Sequence, residues 1–234
     1  MRYFVTGTDT GVGKTRVTAA LARALSDRNR ALAGVREVAI VKLVQTGLVD
    51  GEPGDAAAAS TLAGVAAREL HRFLEPADPW TAALAASCAP LRAATLVAEV
   101  LALEADGLAR GCATSDFVLE GSGGIAVPLN ADETLADVAV HLDARAIIVV
   151  GLRLGCINHT VLTLEYLAHR GIEVAAIAYA APWAPVDAVY VAQVERAVTA
   201  KTPEDRIPAR IYLPFDPDAE RSVAAAAAGV AFLS

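Results

Sequence analysis

An α/β fold, with helices on both faces of a doubly wound, mostly parallel sheet, is what this sequence predicts, on three features. Strand-like and helix-like segments alternate along the chain, the pattern of a parallel sheet wrapped by helices. Several strand candidates are unbroken apolar runs, such as Ala146-Ile147-Ile148-Val149-Val150, which suits strands buried on both faces. A glycine-rich turn, Gly7-Thr8-Asp9-Thr10-Gly11-Val12-Gly13-Lys14-Thr15, directly follows the apolar run Tyr3-Phe4-Val5.

The elements read in order as follows. The first strand covers residues 2–6. The helix after the turn covers 14–28, where Val17, Leu21, Ala24 and Leu25 share a face. A second strand is read at 37–42 and a helix at 55–64, opened by Gly54-Asp55. Pro76, Pro79 and Pro90 make 75–90 an irregular connection or the edge of a lid. A helix follows at 92–110, strands at 116–120 and 145–151, and a helix at 157–169. A strand at 172–179, a helix at 186–198 and a strand at 209–213 complete the pattern. The alanine runs 56–59 and 224–228 read as helix. No repeat or linker divides the chain, so one domain spans 1–234.

Composition narrows the function. The length of 234 residues suits one large α/β domain, and 55% hydrophobic residues supply a sizeable core. A net charge of −7 speaks against nucleic acid as a partner. No apolar run is long enough to span a membrane. Cys88, Cys112 and Cys156 have no metal-site or redox spacing, which points to a reducing compartment. A strand starts right behind Met1-Arg2, without a signal peptide. The cytoplasm is therefore the expected location.

The turn at 7–15 carries the chemistry. A glycine-rich turn opening a helix directs several backbone N–H groups into one concavity, and the helix adds the positive end of its dipole. Residues 11–16 (Gly11, Val12, Gly13, Lys14, Thr15 and Arg16) would cradle a polyphosphate. Lys14 can reach the β and γ phosphates, and the Thr15 hydroxyl can ligate Mg²⁺. This gives the sheet a P-loop NTPase character. The spacing is unusual: five residues separate Gly7 from Gly13, with Thr8 where the first glycine normally stands.

Four further clusters lie at or after strands. Lys42 closes the apolar strand that leads into Leu43-Val44-Gln45-Thr46-Gly47, and ligands of open parallel sheets bind outside the carboxyl ends of strands. It is expected to meet a substrate anion or phosphoryl group and to have no part in folding; a solvated strand-end lysine is the plain alternative. Asp55, behind Gly54, is either a helix cap or a carboxylate for Mg²⁺. Glu120 ends a strand before Gly121-Ser122-Gly123-Gly124, as in a Walker-B arrangement where the carboxylate helps hold Mg²⁺, with glycines that admit close nucleotide approach; a plain tight turn is the alternative. The segment Gly151-Leu152-Arg153-Leu154-Gly155-Cys156-Ile157-Asn158-His159-Thr160 is another strand, turn and helix start, whose free N–H groups could receive a carboxylate. Cys156 reads as a packed thiol, and His159 and His169 lack a zinc spacing.

Together these segments resemble dethiobiotin synthetases. The resemblance covers residues 1 to about 170 and rests on 7–15, 42–47, Gly54-Asp55, Glu120-Gly121-Ser122-Gly123-Gly124 and 151–160; the extended P-loop spacing belongs to that family. It implies a cyclo-ligase of biotin biosynthesis that uses a Mg²⁺–nucleoside triphosphate, ATP by family. Its small-molecule substrates would be 7,8-diaminononanoate and CO₂. A carbamate formed from CO₂ on one amine attacks the γ-phosphate, and the second amine closes the ureido ring. Lys14 and Lys42 would then be catalytic, and Thr15, Asp55 and Glu120 would hold the metal. Thr10, Lys42 and Thr46 would contact the substrate. The family is homodimeric, so Gly155, Cys156, Ile157 and Asn158 would serve the partner's substrate carboxylate.

The chain departs from the family in two places. Leu43 replaces a common proline. Ala180 and Ala181 stand where an Asn-Asp pair reads the adenine edge, while Pro214 and Phe215 match a second base-contact segment. The base is therefore expected to be read loosely. From residues alone, a P-loop ATPase switch acting on a partner protein stays open, as does an amidoligase, although no glutaminase domain is evident.

Overall fold

The computed structural model of the chain describes residues 1–31, 36–49, 51–109, 114–181, 185 and 188–230. Its described strands are β1 (Arg2–Gly7), β2 (Arg36–Thr46), β3 (Ala66–Phe73), β4 (Thr114–Glu120), β5 (Arg145–Gly151), β6 (Val174–Ala180) and β7 (Ala209–Leu213). They form one seven-stranded sheet in the order β3-β2-β4-β1-β5-β6-β7. Every neighbouring pair is parallel. The first strand thus lies inside the sheet, with β4 and β5 on its two sides.

Alternation along each strand sends side chains to two cores. Phe4, Ile148 and Val150 point into one, while Tyr3, Val5, Ile147 and Val149 point into the other. Helices α1 (Lys14–Ala31), α2 (Asp55–Ala63) and α8 (Ala219–Ala228) cover the second face through Leu21, Leu25, Ala59 and Val223. Helices α3 (Pro79–Ala85), α4 (Ala93–Ala109), α5 (Leu135–His141), α6 (Cys156–His169) and α7 (Ala188–Lys201) cover the first through Ala82, Leu96, Leu135, Leu164 and Val194. This is the doubly wound arrangement the sequence implies. All strands run the same way, so their carboxyl ends share one edge, and the site is built there.

The structure adds elements to the sequence reading. The edge strand β3 pairs with β2 from Ala39↔Ala66 to Thr46↔Phe73. Within 75–90, read as irregular, α3 forms because Asp78 accepts the Thr81 N–H at 3.0 Å and Pro79 occupies the first turn. Helix α5 starts in a capping box between Thr134 and Asp137. The beginning of the helix read at 186–198, and Cys112, lie outside the described residues. Among the described residues, no helix is long and apolar enough to cross a membrane.

Candidate active site

The P-loop is shaped by its glycines. A Cβ at Gly7 would lie 2.6 Å from the Asp9 carbonyl oxygen and 2.8 Å from a Val12 methyl, so no side chain fits. Gly11 and Gly13 have φ of +71° and +98°, the left-handed region open to glycine. The Gly7 N–H donates to the Gly123 carbonyl at 3.1 Å, and the Thr8 N–H to the Val149 carbonyl at 2.9 Å. These bonds moor the loop to the turn after β4 and to β5. Val12 turns inward and is buried in the core that α1 also fills. Helix α1 then begins at Lys14, so its positive end points at the loop.

Four charges converge beside the loop. Lys42 and Glu120 are register partners on β2 and β4. The Lys42 Nζ lies 2.8 Å from a Glu120 carboxylate oxygen and 2.6 Å from one of Asp55. It also donates to the Gly121 carbonyl at 3.3 Å. The Thr15 hydroxyl donates to Glu120 at 3.2 Å, and Lys14 donates to the Asp9 carbonyl at 3.3 Å. Lys14, Lys42 and Glu120 are all buried. Burial, then the neighbouring Lys42 ammonium, lowers the Lys14 pKa to about 8 against the pull of Glu120 and Asp55. For Lys42, burial acts downward, but Glu120 and Asp55 outweigh it and the net direction is up. Burial would raise the Asp55 carboxyl, yet Lys42 and Thr15 bring it below its ordinary value.

Asp55 is held by groups that the sequence did not reveal. Its N–H donates to the Gln45 side-chain oxygen at 2.9 Å, and Gln45 donates on to the Thr46 carbonyl at 3.2 Å. A Cβ on Gly54 would meet the ends of the Glu69, Arg72 and Gln45 side chains, so any larger residue there would have to push this group aside. Arg72, paired with Glu69 at 2.6 Å, donates to the Glu52 carbonyl at 2.9 Å and fixes the loop before α2. Glu69 and Arg72 lie on β3, so missing that strand hid this seat.

These groups line a cavity of about 820 Å³. Its walls bring together Thr10, Gly11, Gly13, Lys14, Thr15, Arg16, Lys42, Thr46, Asp55, Glu120, Ser122 and Gly123 from the sequence reading. Gln45 joins them from the Lys42 segment and Pro76 and Pro79 from the stretch read as an irregular connection or lid edge, while Leu48 and Val127 are unforeseen. Gly121 sits just behind, packed against Phe4. Lys42 corrects an expectation. It lies within β2, four residues short of Thr46, and is 3% exposed with both carboxylates as partners. The apolar run on either side carries the strand onward, so the ammonium is part of the folded interior as well as of the site.

The remaining candidates lie elsewhere along the same edge. Ala180 and Ala181 are buried at the end of β6, and Pro214 and Phe215 follow β7 beside them, since Ala180 pairs with Leu213. Just past Phe215, the Asp216 carboxyl is lowered by its bond to Arg221, with the Arg16 charge adding a smaller pull. Gly155 caps α6 with φ of +95°, Cys156 is buried, Ile157 is half-buried and Asn158 is exposed. None of these four lines the cavity of its own chain. The turn before them is tied to the P-loop by an ion pair between Arg153 and Asp9.

The donor set fits Mg²⁺. Among the described residues no group of three or more His, Cys, Asp and Glu side chains makes a ready cage. What converges is two carboxylates and a hydroxyl, all hard oxygens, at the foot of a polyphosphate loop. That suits an ion which takes one or two carboxylates and completes its shell with phosphate oxygens and water.

Comparisons with known proteins agree with this geometry. A family model described as an AAA domain matches residues 1–220. The chain is 46% identical over 171 residues to the ATP-dependent dethiobiotin synthetase of Rhodococcus jostii, covering 72% of this chain and 68% of that protein. It is 43% identical over 175 residues to the synthetase of Saccharopolyspora erythraea, at 74% and 70% coverage. It is likewise 43% identical over 180 residues to that of an Anaeromyxobacter species, covering 74% of each. Among solved structures, the signal recognition particle receptor FtsY of Elizabethkingia anophelis, in complex with GDP, superposes with a TM-score of 0.53 at 13% identity. It covers 96% of this chain and 62% of that one, a likeness of fold alone. With the P-loop, the carboxylate-flanked lysine and relatives of this closeness, the chain belongs to the dethiobiotin synthetase family.

Proposed function

We propose that this protein is the ATP-dependent ligase that closes the ureido ring of dethiobiotin from 7,8-diaminononanoate and CO₂. The observation that carries the reading is the convergence of Lys14, Thr15, Lys42, Asp55 and Glu120 on one cavity at the carboxyl edge of the sheet. In this reading one amine of the diamine adds to CO₂ and loses a proton, giving a carbamate. A carbamate oxygen then displaces the nucleoside diphosphate from the γ-phosphorus. The second amine attacks the carbamoyl carbon and inorganic phosphate leaves. Such a reaction asks the protein for position and charge more than for covalent help.

Residues of this chain divide that work. The N–H groups of 11–15 and the start of α1 bind the phosphates, and Lys14 neutralises their charge. Lys42 faces the carbamate and the phosphoryl group in transit. Thr46 offers its hydroxyl to the substrate, and Thr10 lies beside it. Pro76, Pro79 and Val127 give the cavity an apolar wall suited to an aliphatic chain. Thr15, Asp55 and Glu120 would hold Mg²⁺, which, when bound, neutralises phosphate oxygens. Ala180, Ala181, Pro214 and Phe215 would flank the base.

The same reading makes the protein a cytoplasmic homodimer, with the α6 start of one protomer, from Gly155 to Asn158, receiving the substrate carboxylate of its partner. Its support is that these residues stand outside their own chain's cavity, while Leu154 and Leu162 nearby are 89% and 56% exposed. The test is phosphate release from Mg-ATP. Diamine with bicarbonate together should raise it at least tenfold over either alone; no response to the pair contradicts the ligase reading.

A further inference from the structure

An ammonium has three N–H donors, and Lys42 has spent all three. They go to Asp55 at 2.6 Å, Glu120 at 2.8 Å and the Gly121 carbonyl at 3.3 Å. Lys42 is 3% exposed and touches the cavity only at its tip, so its bonds to these three groups dominate its surroundings. The lysine that must face the substrate therefore has no donor left for it in this arrangement. Its two ionic partners are the carboxylates whose chemistry fits the metal. Glu120 is 1% exposed, and burying it close to Asp55 without a cation would be costly.

We propose that Lys42 is the resident counter-ion of the metal seat: its ammonium occupies the ground between Asp55 and Glu120 until a divalent cation arrives with the nucleotide, and only then are its donors free for the substrate. The assignment rests on the metal–nucleotide reading above and deepens it. The carboxylates hold one cation or the other, so arrival of the metal and release of Lys42 become one event. Lys42 then acts on the substrate only when the nucleotide is in place. The Gly121 carbonyl remains as the pivot, because it belongs to the turn behind β4 and is no metal donor in this set.

Competition for the carboxylates is directly measurable without turnover. Mn²⁺ binding to nucleotide-free protein is followed by the electron paramagnetic resonance signal of the free ion, in the parent and in Lys42→Met, Lys42→Gln and Lys42→Arg. Both neutral variants are expected to bind Mn²⁺ about tenfold more tightly than the parent, equivalent to about 1.4 kcal/mol. Lys42→Arg keeps the cation and should stay within threefold of the parent. Should Lys42→Met fail to fold alone, Lys42→Gln, which keeps donors for the carboxylates, carries the comparison. A gain below threefold in the neutral variants overturns the proposal, and so does an equal gain in Lys42→Arg. Because no diamine, bicarbonate or nucleotide is present, failure of the ligase reading would show in the phosphate-release assay and not here.

Discussion

Lys42 and Glu120 face each other across the β2–β4 ladder, ammonium to carboxylate at 2.8 Å, both almost wholly buried. Removing one partner leaves a charge stranded in the interior. Lys42→Ala is therefore expected to lower stability by about 3 kcal/mol, the scale of breaking a buried pair, and to reduce turnover by about a hundredfold or more. Urea unfolding and single-turnover phosphate release check the two effects. A variant as stable as the parent would show that Glu120 finds another cation.

Asp137 offers a prediction away from the site. It accepts from the Thr134 N–H at 2.7 Å and from Arg170 at 2.6 Å. Burial would raise its carboxyl, but these bonds bring it below the ordinary 3.8. The ionised form is thus favoured in the folded state. Its contribution is present above the unfolded value and fades as the pH falls through the lower folded value. Asp137→Ala should cost about 1–2 kcal/mol near neutral pH, and the gap should narrow below 3.8. A gap that stays constant into acid would mean that the cap's charge is not what stabilises α5.

The proposed dimer, with a site shared between protomers, predicts complementation. Asn158→Ala should weaken diamine binding and leave nucleotide binding near normal, and Lys14→Ala should be inactive. Mixed dimers of the two would hold one intact site. Partial recovery of activity after verified subunit exchange is expected, whereas no recovery would place each whole site within one chain.

Base selectivity should be loose. A site that hydrogen-bonds a base edge rejects analogues because its own polar groups go unpaired. Ala180 and Ala181 have no polar side-chain atoms, and the Ala180 carbonyl already accepts the Leu152 N–H at 3.3 Å. CTP, GTP and UTP should support turnover with kcat/KM within about tenfold of ATP, that is within about 1.4 kcal/mol. A preference for ATP of a hundredfold or more would show that other groups read adenine.

Much of this site was legible in the sequence, for physical reasons. Glycine at 7, 11 and 13 answers to backbone demands that no other residue meets, so the P-loop declares itself locally. Glu120 is legible because a carboxylate ends an apolar strand. The seat of Asp55 was not, because Glu69 and Arg72 belong to β3. That edge strand, Ala66-Ala67-Arg68-Glu69-Leu70-His71-Arg72-Phe73, carries too many polar residues to read as a buried run. The burial of Lys42 is not written in its own segment, because its carboxylates arrive from α2 and β4. Helix α3 hid behind prolines, although Asp78-Pro79 is a helix start. Thr134-Leu135-Ala136-Asp137 was a readable cap for α5, too short to be reinforced by periodicity.

The origin of one oxygen atom separates ring closure from nucleotide hydrolysis. With ¹⁸O-labelled bicarbonate, Mg-ATP and 7,8-diaminononanoate, a carbamate oxygen that attacks the γ-phosphorus carries its label into inorganic phosphate, and the other stays in the ureido carbonyl. Mass spectrometry should find labelled phosphate and labelled dethiobiotin in equal amounts, after correction for exchange of bicarbonate with water. Unlabelled phosphate, with its new oxygen drawn from water and no dethiobiotin formed, would rule out the ligase and leave a simple nucleotide hydrolase.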